Sequence, residues 1–386
     1  MNRPQRYIDI LSELIAFDTT SRNSNLQLIE YIQSMLSDHG VNSELTFDAM
    51  GGKANLFATI GGRGERGIIL SGHTDVVPVD GQAWSTDPFN AIVKDGRLFG
   101  RGACDMKGFI AICLSRIQHI LDADLDVPVH FAFSYDEEVG CVGVKGLLDE
   151  LKKKPIQPRA CIIGEPTSMN VIRAHKGMLF KRCHVHGKSA HSSMVDEGVN
   201  AVTAAAKTIA YIDSVAGRIQ EEGPFDDEFS PPYTTLHCGV IKGGTVNNII
   251  PNECQFDFEI RNLPEHSPLE IFEEIDQYTK SKLLPQMRAV SEEAGIEWNT
   301  LANYPGLNTS LDDNLISIAS DLLKTNERPG KVSYGTEGGH FQSAGFSTIV
   351  CGPGSIEQAH KPNEYVALDQ LQRCDEFLAT LIGSLN

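Results

Sequence analysis

The sequence lacks any long apolar run, and no cluster of Lys or Arg creates a local basic face. Its 386 residues include 33 Lys or Arg against 51 Asp or Glu, which gives a formal net charge of −18. A membrane span needs about 18 or more consecutive apolar residues, and a surplus of carboxylates repels phosphate backbones and anionic lipid. We therefore expect a protein that binds neither membranes nor nucleic acid.

The sequence also has no recognisable secretion signal and no paired cysteine motif. Within residues 1–17, Arg6, Asp9 and Glu13 interrupt apolar positions at helical spacing, whereas a signal peptide carries an uninterrupted apolar block. The nine cysteines are scattered and form no Cys-x-x-Cys pair, which favours reduced thiols over disulfides. These features predict a cytoplasmic protein.

The length and the pattern of apolar residues predict more than one domain. A chain of 386 residues exceeds what one hydrophobic core usually organises. In the first and last parts of the chain, short apolar runs such as Ile68–Leu70 alternate with helical stretches such as Phe109–Leu121. This alternation is typical of an α/β domain with a mostly parallel central sheet covered by helices. We assign residues 1–176 and 291–386 to this domain.

Residues 177–290 differ from the rest and predict a smaller inserted domain. A long Ala-rich helix begins at Asn200, and Cys254–Ile260 alternates apolar with polar residues, which indicates a sheet with one solvent-facing side. A helix over Pro268–Leu284 completes a β-α-β-β-α series. The predicted fold class is therefore α/β, with an inserted α+β domain of the ferredoxin-like kind.

Five points along the chain offer metal-binding side chains after a predicted strand or in a glycine-rich segment. Strand ends in α/β sheets gather at one edge, and zinc accepts imidazole together with carboxylate. Two histidines and three carboxylates at such positions match a dinuclear site in which one carboxylate is shared. The five points are His73, Asp105, the pair Glu137–Glu138, Glu165 and His360.

Two of these motifs suggest more specific roles. Asp105 lies among glycines ahead of a predicted helix, where bulky neighbours do not fit, which favours it as the bridging ligand. Asp75 follows His73 by two residues and can orient the imidazole by accepting its second N–H. Cys104 and Cys351 lie beside the site and are interpreted as packing residues. Alternative metal ligands are His175, His184, His186, His237 and His340.

In order and over nearly the whole chain, these motifs resemble a zinc hydrolase family. That family includes acetylornithine deacetylase, succinyl-diaminopimelate desuccinylase and the glutamate carboxypeptidases. The resemblance implies a pair of zinc ions, although the same ligands also accept Co²⁺ or Mn²⁺, and it implies that Glu137 is the general base and acid. The implied ligands are His73 and Glu165 for one zinc, Glu138 and His360 for the other, and Asp105 for both.

The resemblance also implies substrate contacts from the inserted domain, which acts in the family as a lid and in forming a homodimer. The segment Gly187–Ser193 resembles one whose histidine, here His191, reaches the active site of the partner subunit and helps to stabilise the developing oxyanion. Asn247 and Arg261 resemble positions that hold the substrate's carboxylate, which a guanidinium grips through two parallel hydrogen bonds. Lys176 is an alternative for this contact.

Within the family, Tyr334–Glu337 and Gly352–His360 look most similar to acetylornithine deacetylase. This similarity implies a small-molecule substrate, N2-acetyl-L-ornithine, that is hydrolysed to L-ornithine and acetate in arginine biosynthesis, with Glu337 pairing with the ornithine ammonium. A desuccinylase, or a related N-acyl amino acid or dipeptide hydrolase, is the alternative with the same chemistry. A non-catalytic amino-acid binding protein is an alternative of another class, and the presence of Glu137 beside all five ligands argues against it.

Overall fold

The computed structural model describes residues 3–62, 64, 66–156 and 158–385, which form two compact units. The large unit comprises the described residues up to Ala174, Leu307–Lys331 and those from Thr336 onward. The small unit comprises His175–Gly306 and Val332–Gly335. Each unit has its own hydrophobic core, as expected for a chain of this length.

Strands and helices alternate along much of the chain. The strands are β1 (Ser43–Phe47), β2 (Ala54–Ile60), β3 (Ile68–His73), β4 (Ile92–Lys94), β5 (Arg97–Phe99), β6 (Val129–Ser134), β7 (Ala160–Pro166), β8 (Ile172–His175), β9 (Gly177–His186), β10 (Thr235–Gly243), β11 (Glu253–Asn262), β12 (Gly295–Tyr304), β13 (Leu307–Asn308), β14 (Gly330–Val332), β15 (Ser347–Gly352) and β16 (Tyr365–Ala367). The helices are α1 (Arg3–Ala16), α2 (Leu26–Asp38), α3 (Lys107–Ser115), α4 (Ile117–Asp122), α5 (Gly143–Leu151), α6 (Ala201–Glu222), α7 (Pro268–Tyr278), α8 (Leu284–Arg288), α9 (Asn314–Leu323), α10 (Gly338–Ser343) and α11 (Leu368–Gly383). Among the described residues, no helix has both the length and the apolar character needed to cross a bilayer.

The centre of the large unit is a nine-stranded sheet in the order β1-β2-β6-β3-β7-β15-β8-β13, with β14 paired to β8. Strands β6, β3, β7 and β15 run parallel to one another, and antiparallel pairs flank them. Strands β6 and β7 are buried along their whole length, which is typical of a parallel sheet covered on both faces. The predicted mostly parallel sheet is therefore confirmed, and the carboxyl ends of its central strands meet at one edge.

The predicted helix over Phe109–Leu121 is in fact two helices. Helix α3 ends at Ser115 and α4 begins at Ile117, with Arg116 between them. The Arg116 side chain is buried, and its guanidinium donates to the carboxylate and to the carbonyl oxygen of Asp375 in α11. The apolar repeat continues on both sides of Arg116, so the sequence pattern does not reveal the break.

A three-stranded sheet, in the order β16-β5-β4, belongs to the same unit. Strand β16 pairs antiparallel with β5, and Tyr365 lies opposite Phe99. Strand β5 leads into the glycine-rich loop of Asp105, and β16 follows the loop of His360. This short pairing therefore joins two ligand-bearing segments that are far apart in the sequence.

The small unit is built on a four-stranded antiparallel sheet in the order β10-β11-β9-β12. Residues of β9 are alternately buried and half-buried, and helices α6 and α7 pack on the sheet. The chain order β9-α6-β10-β11-α7-β12 is that of a ferredoxin-like domain, which confirms the predicted α+β fold. Strand β10 forms one edge of this sheet.

The small unit extends further along the chain than the sequence pattern predicts. It begins at His175 rather than at residue 177, and it ends at Gly306 rather than at residue 290. The later end results from β12, which pairs with β9 along its length. As an edge strand, β12 has no regular alternation of buried residues over its first seven positions, so its period of two is too weak to read from the sequence.

Candidate metal centre

The five predicted ligands converge at the carboxyl edge of the parallel strands. His73 ends β3, Glu165 lies near the end of β7, and Glu138 follows β6. The other two lie in loops, since Asp105 comes just before α3 and His360 follows β15. All five residues belong to the large unit, and their side chains lie within hydrogen-bonding or ion-pair distance of at least one other member.

Asp105 lies between the two imidazoles. Its Oδ1 is 3.0 Å from His73 Nε2, and its Oδ2 is 3.3 Å from His360 Nε2. Each imidazole has a second carboxylate beside it: Glu165 Oε1 is 3.6 Å from His73 Nε2, and Glu138 Oε2 is 3.0 Å from His360 Nε2. The two oxygens of one aspartate thus serve two separate histidine–glutamate pairs.

These separations fit divalent cations. Ligands bound tetrahedrally at about 2.0–2.1 Å from a zinc ion lie about 3.3 Å from one another. The four nitrogen–oxygen distances of the site range from 3.0 to 3.6 Å. Ligand atoms of His73, Glu137 and Glu165 also cluster within 4.8 Å of one another, as do those of His73, Asp105 and Glu138. Imidazole and carboxylate are the donors that suit zinc, cobalt or manganese.

The electrostatics of the site also favour a cation. Burial, together with the neighbouring carboxylates, raises the pKa values of Glu137, Glu138 and Glu165. Burial acts in the same direction on Asp105, but its hydrogen bonds to both histidines outweigh burial and hold its pKa below the usual range. Hydrogen bonds to Asp105 and Glu138 raise the pKa of His360 to about 10. Carboxylates are costly to bury together without positive charge, and divalent cations would supply that charge.

Asp75 contacts His73 differently from the prediction. The group that lies 2.9 Å from His73 Nδ1 is the carbonyl oxygen of Asp75, whereas the carboxylate is 3.6 Å away. The carboxylate accepts the backbone N–H groups of Glu137 at 3.1 Å and Glu138 at 3.3 Å, and the hydroxyl of Ser21 at 2.7 Å. Asp75 therefore holds the glutamate pair with its side chain and the imidazole with its backbone.

Glu337 lies in the interior of the large unit, with 1% of its surface exposed. Its Oε1 accepts the hydroxyl of Ser71 at 2.6 Å, and its Oε2 accepts the hydroxyl of Ser134 at 2.7 Å. Because both oxygens are occupied and buried, this position argues against the predicted contact with a substrate ammonium. Glu337 instead joins β3 and β6, whose ends carry His73 and lead to Glu138. Sequence reasoning missed both serines, since a hydroxyl within an apolar strand gives no distinctive signal.

The alternative histidines lie outside the ligand clusters. Among the residues that the structure describes, neither cluster of metal-binding atoms contains any of them. His360 is also outside both clusters, but its contacts with Asp105 and Glu138 place it at the site. His175 is fully buried, its Nδ1 lies 2.9 Å from the carbonyl oxygen of Lys176, and burial lowers its pKa to about 4. The rings of His184 and His186 stack on the half-buried face of β9. His237 lies on β10 and His340 on α10.

Cys104 and Cys351 are both buried. Burial raises the pKa of Cys104 well above its usual value and that of Cys351 to about 12. The Cys104 thiol donates to the carbonyl oxygen of Ser355 at 3.3 Å. A thiol that stays protonated is a poor metal ligand or nucleophile, so both residues act here as packing groups.

The predicted substrate contacts of the small unit lie at two separate places. His191 and Asn247 are both exposed, and their segments meet through a bridge between His191 and Ile249. Arg261 lies near the other end of β11, where its guanidinium donates to both carboxylate oxygens of Glu259. Strand β11 runs from Glu253 to Asn262, which at about 3.3 Å per residue separates the two places by roughly 25 Å. Within one small unit, they do not form a common site.

A cavity of about 810 Å³ lies at the opposite ends of the parallel strands. Its lining includes Ile68 at the start of β3, Ala160 at the start of β7 and Ser347 at the start of β15. None of the predicted ligands lines it. Although this cavity is large, its lining offers none of the predicted metal ligands, so the ligand cluster is the better candidate for the active site.

Comparisons with known proteins agree with this architecture. The model of peptidase family M20/M25/M40 matches residues 69–384. A curated relative, the acetylornithine deacetylase of Myxococcus xanthus, is 36% identical, with 97% of this chain and 96% of the relative covered. Two solved structures share the fold: an M20 family metallo-carboxypeptidase of Sulfolobus solfataricus (TM-score 0.77, 18% identity, coverage of 97% and 98%) and a dinuclear metal-binding M20 peptidase of Bacillus subtilis (TM-score 0.66, 15% identity, coverage of 99% and 98%). With a matching family model over most of its length and a relative this similar from end to end, the chain belongs to peptidase family M20/M25/M40.

Proposed function

We propose that this hydrolase is a dinuclear metal-dependent deacetylase that converts N2-acetyl-L-ornithine to L-ornithine and acetate, a step of arginine biosynthesis. The observation that carries the proposal is the position of Asp105, with one carboxylate oxygen towards His73 and the other towards His360. The name of the Myxococcus xanthus relative supports the substrate. The dinuclear metal binding of the Bacillus subtilis peptidase supports a pair of metal ions.

Each proposed ligand has a defined part in holding the ions. His73 and Glu165 would hold one cation, Glu138 and His360 the other, and Asp105 both. When bound, two such cations polarise the amide carbonyl and lower the pKa of water to about 7. We infer zinc as the metal, since its preferred ligands are nitrogen and oxygen donors of these kinds, and cobalt or manganese would also fit.

Glu137 is the proposed general base and acid. Its backbone N–H is held by Asp75 Oδ1 at 3.1 Å, and its carboxylate oxygen Oε1 accepts the Cys141 thiol at 3.2 Å. Burial raises its pKa, so the carboxylate holds a proton more readily than an exposed glutamate does. Glu137 would take a proton from the attacking water and deliver it to the leaving amine nitrogen. A positioned group of this kind contributes about 10²–10⁴ to the rate.

We infer a homodimer from the small unit. Strand β10 is an unpaired edge with exposed Val240 and Ile241, and such an edge pairs readily with another strand. The separation of His191 and Asn247 from Arg261 supports the same inference, because contacts at both places to one substrate require two chains. In this proposal Arg261 grips the substrate carboxylate, whereas His191 and Asn247 act on the substrate bound to the partner subunit.

A mixing experiment tests this sharing of residues. The variants Glu137→Gln and His191→Ala are each expected to be nearly inactive. In a mixed dimer, one active site receives an intact Glu137 from one chain and an intact His191 from the other. Since random exchange makes about half of the dimers mixed, about a quarter of wild-type activity should return. No recovery, in a sample whose mixed dimers are verified by mass, would contradict the exchange of His191 between chains.

A substrate panel tests the reaction itself. The purified protein is assayed with N2-acetyl-L-ornithine, other N-acetyl amino acids, N-succinyl-L,L-diaminopimelate and dipeptides, each with and without a chelator. We expect N2-acetyl-L-ornithine to give the highest kcat/KM and the chelator to abolish turnover. Rapid cleavage of another compound with no turnover of acetylornithine would replace the named substrate and favour a desuccinylase or dipeptidase. Binding without cleavage of any compound would favour an amino-acid binding protein.

Two wider inferences belong to the same proposal. The acidic composition, with a net charge of −18, supports a small-molecule substrate rather than a nucleic-acid partner. A cytoplasmic location stays a prediction of the sequence. Fractionation of the native cells, with detection of the protein by antibody, would test that location.

A further inference from the structure

Glu364 is a buried carboxylate that lies beneath the loop of the bridging ligand. Its side chain is 1% exposed. Its Oε1 accepts the backbone N–H groups of Cys104 at 2.8 Å and Asp105 at 3.1 Å, and its Oε2 accepts that of Gly102 at 3.0 Å. Three bonds of this kind hold the loop around a single side chain.

The pairing of β5 with β16 explains why Glu364 lies there. Tyr365 is opposite Phe99 in this pairing, so Glu364 comes next to Gly100, whose N–H donates to the Glu364 carbonyl oxygen at 3.0 Å. The loop then curls over the carboxylate through Gly102, which has a φ of +80°. Gly102 also has no room for a side chain, because a Cβ atom on this residue would lie 2.7 Å from Cγ1 of Val76.

Arg101 extends the arrangement to the second ligand-bearing segment. Its Nη1 donates to Glu364 Oε2 at 2.7 Å, and its Nη2 donates to Gln82 Oε1 at 2.6 Å. The Gln82 amide in turn donates to the carbonyl oxygen of His360 at 3.1 Å. The guanidinium also lies over the ring of Trp84, 5.1 Å from its centroid. A continuous chain of hydrogen bonds therefore runs from the Asp105 backbone to the His360 backbone.

His360 depends on such support more than the other ligands do. Its side chain is 55% exposed, whereas those of His73 and Asp105 are 1% and 7% exposed. Its φ is +61°, in the left-handed region that residues other than glycine seldom occupy. Packing alone does not fix an exposed imidazole, so the bond from Gln82 to the His360 backbone adds to the contacts that the ring makes with Asp105 and Glu138.

We propose that Glu364 is a positioning residue of the metal centre, which holds Asp105 directly and His360 through Arg101 and Gln82 at the separation that lets one carboxylate serve two cations. This inference rests on the proposed dinuclear function. Partners that orient metal ligands typically contribute 10–100-fold to metal affinity. The Glu364→Gln variant replaces one oxygen with an NH₂ group that faces N–H donors, so the loop must shift away from it.

The test measures metal binding rather than turnover alone. Wild type, Glu364→Gln and the control Glu357→Gln are made metal-free and titrated with Zn²⁺ against a competing chelator, and the visible spectrum of each is recorded with Co²⁺. Glu357 is exposed and lies three residues before His360, so its variant makes the same charge change in the same segment. The unfolding temperature of each metal-free variant reports damage to the fold.

The expected result is a 10–100-fold loss of Zn²⁺ affinity and an altered Co²⁺ spectrum in Glu364→Gln, with Glu357→Gln like wild type. Wild-type affinity and spectrum in Glu364→Gln, with only a lower unfolding temperature, would show a merely structural role and overturn the proposal. If Glu364→Gln does not fold, the variant Gln82→Met is titrated with Zn²⁺ instead. A severalfold loss of Zn²⁺ affinity would support the chain of hydrogen bonds to His360, and unchanged affinity would refute it.

The result is separable from that of the proposed function. A wild-type chain that binds no cation overturns both the dinuclear proposal and the role of Glu364. A wild-type chain that binds two cations but ignores N2-acetyl-L-ornithine overturns only the substrate. Retained affinity in Glu364→Gln, in a protein that deacetylates acetylornithine, overturns only the positioning role.

Discussion

The large and small units hold their proposed functional residues in contrasting ways. In the large unit, His73, Asp105 and Glu165 are almost completely buried and bonded to groups from distant parts of the chain. In the small unit, His191 and Asn247 are exposed, and Arg261 is already paired with Glu259. This contrast fits the proposal that one chain supplies all the ligands of the metal centre, whereas the substrate contacts need a second chain.

Removal of the cations has the largest expected effect on this comparison. Because the large unit is proposed to work only around bound metal, dialysis against a chelator should abolish turnover, and Zn²⁺, Co²⁺ or Mn²⁺ should restore it. Metal content and initial rates are measured on the same samples, with a zinc-saturated chelator as the control. Full activity in a protein free of every cation would end the dinuclear proposal.

Glu137→Gln tests the chemistry of the large unit without disturbing its ligands. We expect kcat to fall by about 10²–10⁴, since the amide cannot take up the proton of the attacking water. Metal content should stay unchanged, because Glu137 is not among the five proposed ligands. Glu357→Gln, an exposed carboxylate of the same unit, is the matched control. A fall of less than tenfold would assign proton transfer to another group.

The β10 edge tests whether the small unit needs a second copy. The double variant Val240→Lys with Ile241→Lys places two charges on this exposed edge, which should prevent strand pairing. We expect a monomer in analytical ultracentrifugation. Its kcat should fall by about 10²–10³, the effect of losing one oxyanion-stabilising group. Val93→Lys, at an exposed site in the large unit, should stay dimeric, and a fully active monomer would contradict the partner's role.

Arg261→Lys tests how the small unit recognises the substrate. A lysine keeps the positive charge but loses the two parallel hydrogen bonds to a carboxylate. We expect KM to rise by about 10–100-fold with little change in kcat, since the substrate carboxylate is remote from the reacting amide and is bound equally in the ground and transition states. Arg182→Lys, at another arginine of the same sheet that pairs with Asp257, is the control. An unchanged KM would remove Arg261 from the substrate site.

His130 gives the smallest expected effect, on stability rather than activity. Burial lowers its pKa to about 4 in the folded protein, compared with about 6.5 when it is unfolded. Between these values only the unfolded state takes up the proton, so stability falls as the pH falls from about 6.5 to 4. At 1.36 kcal/mol per pKa unit, the loss is about 3 kcal/mol. His130→Asn should lack this part of the decline in urea unfolding of the metal-free protein, and an identical pH dependence would contradict it.

Some elements of the fold could be predicted from the sequence, whereas others could not. The apolar repeat extends over the whole of helix α9 (Asn314–Leu323). Strands β3, β6 and β7 coincide with short apolar runs, so the strand ends that carry ligands could be predicted. The edge strand β12 could not, because half-exposed edge positions carry little apolar alternation. The break at Arg116 could not be predicted either, since the apolar repeat continues on both sides of it and the partner of Arg116, Asp375, lies far away in the sequence.

The metal centre shows the same limit. The five ligands could be proposed because histidines and carboxylates at strand ends are unusual and chemically distinctive. The residues that hold these ligands in place could not be predicted, because their hydrogen bonds join positions that are far apart in the sequence. Ser71 bonds Glu337 266 positions away, and Cys104 bonds Glu364 260 positions away. No local pattern marks either pair.

The amino-acid sequence by itself determined which side chains are available for catalysis, because the apolar period sets the strands and the residues that follow them. Tertiary structure alone decided how these side chains are held. Packing of the parallel strands brought their ends to one edge, and the pairing of β5 with β16 brought the loops of Asp105 and His360 together. Burial of Glu337 and Glu364 then left each carboxylate to be satisfied by whichever donors the fold places beside it.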